Sequence, residues 1–412
     1  MHQFITARVL RAMGVPLPQQ KFIAHLFSLW FCVRGRFNFT NLSRYSYFHE
    51  RTFRRGFAQD FNWLDFNRRL LTIMIPPCNQ LIASMDASYI PKSGKHTPEL
   101  GWFFNGCASR VEKGLEASTI AILDVTLNTA YGLSARQTPA TRTPKNFPGK
   151  KKQKTSKEAD GESRLDFYLR HLCEVRPYFP ALVRHLAVDG YYARRTFVDG
   201  VLALDLDVIG KLRHDASLCH LYTGSQKARG RRRVRGERVN WKNLDLSLWH
   251  NEGEMEKGTC LYSAVVFHNS LKRQIKVALL VRKTAKGVSR VLLLSTDPNL
   301  SGEEIVTFYR ARFQIEFLFR DAKGSMALNH SQSRNSKAIN FHWNASLCAL
   351  NLAKWQEERC SQKQRFSASS CKQRNSNQQM LEVFSAGLGL DLNLIKSQPG
   401  YQNMLNYGVI MP

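Results

Sequence analysis

Residues 309–323 read YRARFQIEFLFRDAK, and this stretch carries the strongest pattern in the chain. It follows the spacing Y-x2-R-x3-E-x6-K. The residues at its marked positions are Tyr309, Arg312, Glu316 and Lys323. Ser301 and Glu304 form a capping-box pattern just upstream, which predicts one helix running through the whole stretch. At about 100° per residue, such a helix places these four side chains and Arg320 on one face. That face would carry one carboxylate among a phenol and three cations.

The plainest interpretation of this helix is a solvated charged face, with pairs such as Arg312 and Glu316. Two aspartates far upstream favour a different one. Asp86 lies in QLIASMDASYI (80–90) and Asp189 in LVRHLAVDGYY (182–192), and each acid closes an apolar run that reads as a short buried strand. A lone acid there is usually a turn or cap residue. Three acids in a very basic chain instead suit phosphodiester chemistry, because carboxylates hold the divalent ions that such reactions use.

Together these pieces resemble the bacterial insertion-sequence transposases of the DDE class, in the group marked by a Tyr-Arg-Glu-Lys signature. The matching segments are MDAS at 85–88, VDGY at 188–191 and the signature itself, so the resemblance runs from about residue 81 to residue 351. It implies an α/β, ribonuclease-H-like mixed sheet flanked by helices, with a β-rich insertion and an amino-terminal helical DNA-binding domain. It also implies two Mg²⁺ ions, replaceable by Mn²⁺, held by Asp86, Asp189 and Glu316.

The first metal ligand has an alternative in Asp124, which lies in the strand-like run AILDV (121–125). Asp86 is preferred because it lies in the first strand of the expected catalytic domain, where the family places its first ligand.

The resemblance gives Tyr309, Arg312 and Lys323 roles in holding the scissile and terminal phosphates. To these we add further cations on the same helix face or in the strand after Asp189: Arg320, Lys211 and Arg213. We expect an arginine beside the carboxylates to point at DNA, since otherwise it would neutralise the metal ligands.

Composition supports a nucleic-acid partner. The chain has 60 Lys and Arg against 32 Asp and Glu, a formal charge of +28, and such an excess repels itself unless a polyanion is bound. We expect double-stranded DNA, both the element's terminal inverted repeats and the target, bound by a homodimer. A membrane partner is disfavoured, since the apolar run 22–33 is too short to span a bilayer and reads as a buried helix. Nine cysteines without a C-x-x-C pair or an export signal fit the bacterial cytoplasm, near the nucleoid.

The chain divides by pattern into five parts. Residues 1–75 read as a helical, DNA-binding domain, 81–213 and 301–355 as the two parts of the catalytic domain, 214–300 as the β-rich insertion, and 356–412 as a linker and tail. Within the first part, 40–46 and 50–57 resemble a helix-turn-helix with Phe53 and Phe57 inward; an ordinary amphipathic pair remains equally open. The side chains expected to face DNA are Arg51, Arg54 and Arg55.

Two basic segments are expected in loops. Residues 137–163 read as a loop with lysines at 150–154, and 227–238 read KARGRRRVRGER. We expect the second to contact DNA phosphates rather than serve solubility alone. Its candidate residues are Arg231, Arg232, Arg233 and Arg235. Trp241 and Trp249 follow; core packing is favoured for them over stacking on a displaced base.

Two other functions stay open from the sequence. One is a DNA-binding protein without catalysis, derived from a transposase, and the intact acids speak mildly against it. The other is a ribonuclease-H-like nuclease that cuts without joining. An assay with Mg²⁺ and DNA carrying the element's own ends separates all three.

Overall fold

The computed structural model of the chain describes residues 2–140, 162–256, 258–284, 287–360 and 366–410. The predicted loop 137–163 falls largely outside them, and its lysines at 150–154 lie outside the described residues altogether. Within the described parts, helices flank a mixed sheet of twelve strands.

Five helices form the amino-terminal region: α1 His2–Ala12, α2 Leu17–Cys32, α3 Phe39–Arg44, α4 Glu50–Ala58 and α5 Trp63–Met74. The apolar run 22–33 builds the buried side of α2, as predicted. In the described parts of the chain, no helix is long and apolar enough to cross a membrane. The side chain of Asn38 accepts a hydrogen bond from the Asn41 amide at 2.8 Å and so begins α3. Phe53 and Phe57 of α4 are buried, as expected for the second helix of the pair.

The core strands are β1 Leu81–Pro91, β2 Gly101–Asn105, β3 Arg110–Asp124, β4 Thr129–Gln137, β5 His185–Ala187 and β6 Asp207–Leu212. Strands β4, β3 and β1 are antiparallel neighbours, and β5 and β6 run parallel to β1, in the order β4-β3-β1-β5-β6. Helices α6 Arg164–Val175 and α7 Arg195–Leu202 make the crossovers that parallel strands require. This is the strand order of a ribonuclease-H-like sheet, so the predicted fold class is confirmed.

The β-rich insertion extends the same sheet. Its strands are β7 Leu218–Leu221, β8 Arg235–Arg238, β9 His250–Glu256, β10 Thr259–His268, β11 Arg273–Thr284 and β12 Gly287–Ser295. Strand β12 pairs with β6, and β11 and β10 follow in order. Trp241 and Trp249 lie with their ring centroids 6.3 Å apart, and the Trp241 indole donates to the Ala216 carbonyl at 2.7 Å. Both tryptophans therefore pack in the insertion, as favoured from the sequence.

The signature stretch lies on two helices and not on one, so that prediction was wrong. The capping box at Ser301 and Glu304 is present. The helices are α8 Gly302–Ala311, α9 Gln314–Gly324 and the long α10 Ser336–Cys360. Between α8 and α9 the Phe313 amide donates to the Arg310 carbonyl at 3.1 Å, an i→i+3 bond that tightens the turn and ends the α-helical pattern.

The predicted linker at 356–412 was also wrong. Helix α10 continues to Cys360, and α11 Ala368–Gly387, α12 Leu392–Ser397 and α13 Tyr401–Leu405 follow. Helix α11 lies against α2, where Arg34, just past the end of α2, donates to the Ser376 hydroxyl at 3.1 Å. Its buried side consists of small polar residues such as Asn375, which donates to the Cys371 carbonyl at 2.8 Å. Serine and asparagine at those positions read as linker composition, although they are small enough to pack.

Strand ends differ from the predictions in three places. Asp86 lies inside β1 and not at its end, because β1 stays paired with β3 as far as Pro91 and Gly114. Strand β4 was missed, since its sequence TAYGLSARQ lacks a clear apolar run. Strand β3 begins at Arg110, in the hairpin that it forms with β2, whereas its apolar run predicts a strand over 118–127.

Candidate active site

The register of β1 and β5 brings two of the predicted acids side by side. The parallel pairs are Ala83 with Leu186 and Ser84 with Ala187. Asp86 lies two residues after Ser84, and Asp189 lies two residues after Ala187. The two aspartates therefore lie level on neighbouring strands, at the carboxyl end of β5, the edge where α/β folds of this kind place their ligands.

Asp86 is held in a poorly compensated environment. Its side chain is 24% exposed, with Oδ2 3.9 Å from Nη1 of Arg312. Its Oδ1 accepts a hydrogen bond from the Ala87 amide at 2.8 Å. The pKa of Asp86 is raised to about 7; burial is the largest cause and the negative charges of Asp189 and Glu316 add to it, whereas the Ala87 amide and Arg312 oppose the rise. The three acids thus act on one another electrostatically.

Asp189 opens a short 3-10 helix, Gly190–Tyr192, and its Oδ1 accepts a hydrogen bond from the Tyr191 amide at 2.8 Å. A Cβ added to Gly190 would lie 3.2 Å from the Lys211 carbonyl oxygen, so β6 passes close behind this turn and favours glycine. Tyr192 is buried beside both aspartates. Burial raises the pKa of its phenol well above the usual value, and the charge of Asp86 adds to this. Tyr192 was not predicted from the sequence, where its only signal is the tyrosine pair after VDG.

Glu316 lies in the first turn of α9 and its side chain is 50% exposed. Its Oε1 accepts a hydrogen bond from Nη2 of Arg312 at 2.8 Å. The Arg312 side chain is 7% exposed and lies over the rings of Tyr309 and Phe313, at 5.6 and 4.7 Å from their centroids. Its Nε has no hydrogen-bond partner in the described structure.

Arg312 therefore points at the acids and not away from them, against the expectation for an arginine in this position. The physical reason is that, among the described residues, the Arg312 guanidinium is the cation that pairs with both Asp86 and Glu316. An opposite charge within about 4–6 Å favours the ionised carboxylates, so Arg312 partly neutralises the site.

Lys323 and Tyr309 complete the signature on the two helices. The Lys323 ammonium donates to the Tyr89 carbonyl at 2.9 Å, and burial lowers its pKa. This bond ties α9 to β1, the strand that carries Asp86. Tyr309 is buried, and burial raises the pKa of its phenol.

The other predicted phosphate-binding cations near the site are exposed. Arg320 pairs with Asp321, with Nε 3.0 Å from Oδ1, and its guanidinium lies 4.8 Å from the Phe317 ring centroid. Lys211 faces solvent on β6. Arg213 pairs with Asp215 at 3.0 Å. None of the three lies against the acids in the contacts that the described residues make.

The two remaining basic sets lie elsewhere on the surface. In the segment 227–238 all four candidate arginines are exposed, but Arg233 lies over the Tyr222 ring and Arg235 over the Phe267 ring, each at 4.5 Å. On α4, Arg51, Arg54 and Arg55 are all exposed, and Arg54 is paired with Glu50.

Asp124, the alternative first ligand, is the last residue of β3 and pairs in register with Leu81, the first residue of β1. It is fully buried. Its Oδ2 accepts a hydrogen bond from Asn79 Nδ2 at 2.6 Å and its Oδ1 from the Leu127 amide at 2.9 Å. These contacts give Asp124 a turn-closing, structural role.

The carboxylate oxygens of Asp86, Asp189 and Glu316 lie further apart than the ligand atoms of a compact metal site. Among the described residues, the group whose ligand atoms all lie within 4.8 Å of one another is His185, Asp207 and Asp297, and the acids at 86, 189 and 316 do not form such a group. Arg312 stands between Asp86 and Glu316.

The sheet has the strand order of a ribonuclease-H-like core, and Asp86 and Asp189 lie level with each other at the carboxyl end of β5. The family described as DDE superfamily endonuclease matches residues 27–257, more than half of the chain, and the transposase DDE domain matches residues 168–352. The chain therefore belongs to the DDE superfamily, as a DDE-type DNA transposase. Membership implies dependence on a divalent metal.

Among solved structures, a cryo-EM structure of the piggyBac transposase synaptic complex with hairpin DNA shares 10% sequence identity, with a TM-score of 0.41. The match covers 94% of this chain and 74% of that one. No curated protein sequence gives a significant match.

Proposed function

We propose that this transposase mobilises a bacterial insertion sequence of the Tyr-Arg-Glu-Lys group, and that Asp86, Asp189 and Glu316 form its metal centre. The observation that carries the proposal is geometric: the β1–β5 register sets Asp86 level with Asp189, and Arg312 lies 3.9 Å from Asp86 and 2.8 Å from Glu316. The raised pKa of Asp86 agrees with it. Three neighbouring carboxylates at the edge of the sheet repel one another, and this repulsion favours the binding of a cation.

The donor set suits hard divalent ions. Carboxylate oxygens are the ligands that Mg²⁺ prefers, and Mn²⁺ accepts the same set. When bound, two such ions supply polarisation of the attacking and leaving oxygens. The chain's own part is to hold the carboxylates at one edge of the sheet and to bring DNA phosphates to them.

Arg312 has a second role in this proposal. Its guanidinium is a counter-charge of Asp86 and Glu316, through contacts of 3.9 and 2.8 Å. If the acids held a divalent cation, it would supply that neutralisation, and the Arg312 guanidinium would then be available to bind a DNA phosphate. Tyr309 and Lys323, on the adjoining helices, bind the same phosphates from either side of the break at Phe313.

The DNA partners are the inverted repeats at the element's ends and the target duplex, bound by two copies of the chain. The +28 charge supports a large phosphate-binding surface. The exposed arginines of α4 and of the segment 227–238 are the proposed contacts outside the active site.

The test is a cleavage and joining assay with the full chain, Mg²⁺ and DNA that carries the inverted repeats flanking the gene. The wild type nicks at the repeat ends and joins the released 3′ ends to a target. Glu316→Gln removes both steps by at least about 10³-fold, in the range found for essential catalytic groups. Glu303→Gln, an exposed glutamate on α8, is the matched control and keeps both.

Cutting without joining would assign the chain to the nucleases. Binding without cutting, in the wild type as in Glu316→Gln, would make it a DNA-binding protein that has lost the reaction. Equal activity of Glu316→Gln and wild type would remove Glu316 from the centre.

A further inference from the structure

A second set of metal-binding side chains lies at the other end of β5 from Asp189. These are His185, Asp207 and Asp297, which each offer one ligand atom within 4.8 Å of the other two. His185 and Asp207 are direct partners in the β5–β6 pairing. Ser295 of β12 pairs with Ile209, and two residues on, Asp297 comes level with Asp207. Three neighbouring strand positions thus present the three side chains in one row.

The charge of this row is not balanced by nearby basic side chains. Among the described residues, neither aspartate has a lysine or arginine within 4.0 Å, although the chain contains 60 of them. Asp207 accepts a hydrogen bond from the Thr296 hydroxyl at 2.6 Å. Asp297 accepts one from the Asn299 amide at 2.9 Å, and its other oxygen lies 3.4 Å from His185 Nε2.

One imidazole therefore faces two partly buried carboxylates. Carboxylates this close repel each other and favour a bound cation. The mixed nitrogen and oxygen donors suit Zn²⁺ better than Mg²⁺, which prefers oxygen ligands alone.

We propose that His185, Asp207 and Asp297 bind a Zn²⁺ ion that fastens the root of the β-rich insertion to the catalytic core. Asp207 begins the strand that leads into the insertion, and Asp297 follows the strand that leads out of it. An ion bound by Asp207, Asp297 and His185 would therefore connect β6 and β12, the strands on either side of the insertion, to β5 of the core. Phe308 of α8 covers the imidazole, with ring centroids 5.3 Å apart.

This site is separate from the proposed catalytic centre. His185 and Asp189 are four residues apart along the chain, which is about 13 Å in extended backbone. Paired catalytic ions lie about 3.5–4 Å apart, so one ion cannot serve both groups. The proposed Zn²⁺ ion is therefore distinct from the catalytic ions.

The experiment uses the full chain with the catalytic acids removed by D86N, D189N and E316Q, so that binding there does not contribute. The chain is stripped with a chelator, dialysed against Zn²⁺ and measured by elemental analysis and thermal unfolding. We expect one tightly held Zn²⁺ per chain and a Tm higher by a few degrees than without metal, because the ion binds the folded state alone. Mg²⁺ at the same concentration has a much smaller effect.

His185→Gln, Asp207→Asn and Asp297→Asn, each added to this background, weaken Zn²⁺ binding by more than about 100-fold. The two asparagine variants keep an acceptor oxygen for Thr296 and Asn299, and circular dichroism verifies that each variant folds. The controls are Asp205→Asn, at a positive φ of 54° that asparagine tolerates, and His214→Gln, an exposed imidazole. Both retain the ion.

Two results overturn the proposal. One is the absence of stoichiometric Zn²⁺ in the stripped and reloaded background chain. The other is an ion retained in the folded asparagine variants, which would place it elsewhere on the chain.

Discussion

Asp86 lies in the middle of the β1–β3 strand pair and Asp124 lies at one end of it, and the fold surrounds the two carboxylates in opposite ways. Asp124 is fully buried and accepts two hydrogen bonds. Asp86 keeps an open side, accepts one backbone hydrogen bond, and has a pKa of about 7 because of burial and the acids around it. The protein compensates the charge of a structural acid with its own hydrogen bonds, whereas the charge of a functional acid is compensated by a bound ligand.

The largest expected effect separates these two acids directly. Asp86→Asn should reduce metal-dependent DNA cleavage by at least about 10³-fold while leaving the free energy of unfolding near neutral pH unchanged or increased. Asp124→Asn turns an acceptor into a donor facing the Asn79 amide, so it should lower the free energy of unfolding by about 1–3 kcal/mol and leave cleavage by the folded fraction intact. Gel cleavage and urea unfolding of both variants measure the contrast. The opposite pattern would make Asp124 the first ligand.

The next effect is the pH dependence of stability in the absence of metal. Asp86 titrates near 3.9 when unfolded and at about 7 when folded, so between these values the folded state holds the extra proton. Its contribution to stability is full below about pH 4 and is lost as the pH rises through 7, with a slope of at most about 1.4 kcal/mol per pH unit.

Asp86→Asn should remove this slope, since the amide resembles the protonated acid and does not titrate. Urea unfolding in chelator at pH 5, 6, 7 and 8 gives the comparison. Parallel curves for the wild type and the variant would show that Asp86 titrates alike in both states. Adding Mn²⁺ to the wild type at pH 7 should reverse the loss of stability, because a cation favours the ionised carboxylate.

The smallest expected effect concerns the salt dependence of DNA binding by the segment 227–238. Here the comparison is between arginines that contact aromatic rings and arginines that do not. Arg233 and Arg235 lie over aromatic rings, whereas Arg231 and Arg232 make no such contact with the residues that the structure describes. Replacing all four with glutamine should flatten the salt dependence of DNA binding, by about 0.9 in the log–log slope for each lost phosphate contact, and leave sequence preference unchanged.

The pairs can then be separated. Arg231→Gln with Arg232→Gln should change the slope without changing Tm, and Arg233→Gln with Arg235→Gln should also lower Tm slightly through the lost ring contacts. Filter binding at several salt concentrations measures the slope. An unchanged slope in the fourfold variant would mean that this segment serves solubility alone.

The sequence predicted the sheet class because its acids and apolar runs are local features. The runs ending near Asp86 and Asp189 are short enough to read as buried strands, and their pairing follows from the fold that they resemble. The capping box could also be predicted from the sequence, since it depends only on Ser301 and on Glu304 three positions later.

Other features depend on distant contacts and could not be read in this way. The break between α8 and α9 lies at Arg312, whose buried guanidinium reaches an acid on β1 that is 226 residues earlier. The polar helix α11 packs because α2 offers it a surface, and composition alone suggested a linker. The row of His185, Asp207 and Asp297 exists only once three strands are aligned.

The pairing of β12 with β6 has a consequence for synthesis of the chain. Until β12 emerges from the ribosome, β6 is an outer strand with unpaired amides and carbonyls, and its partner lies some eighty residues downstream. Closure over such a sequence distance is slow compared with local pairing. A nascent or truncated chain that stops inside the insertion therefore exposes an unpaired edge strand. Chaperones can bind this strand, or it can pair with other copies of the chain and cause aggregation.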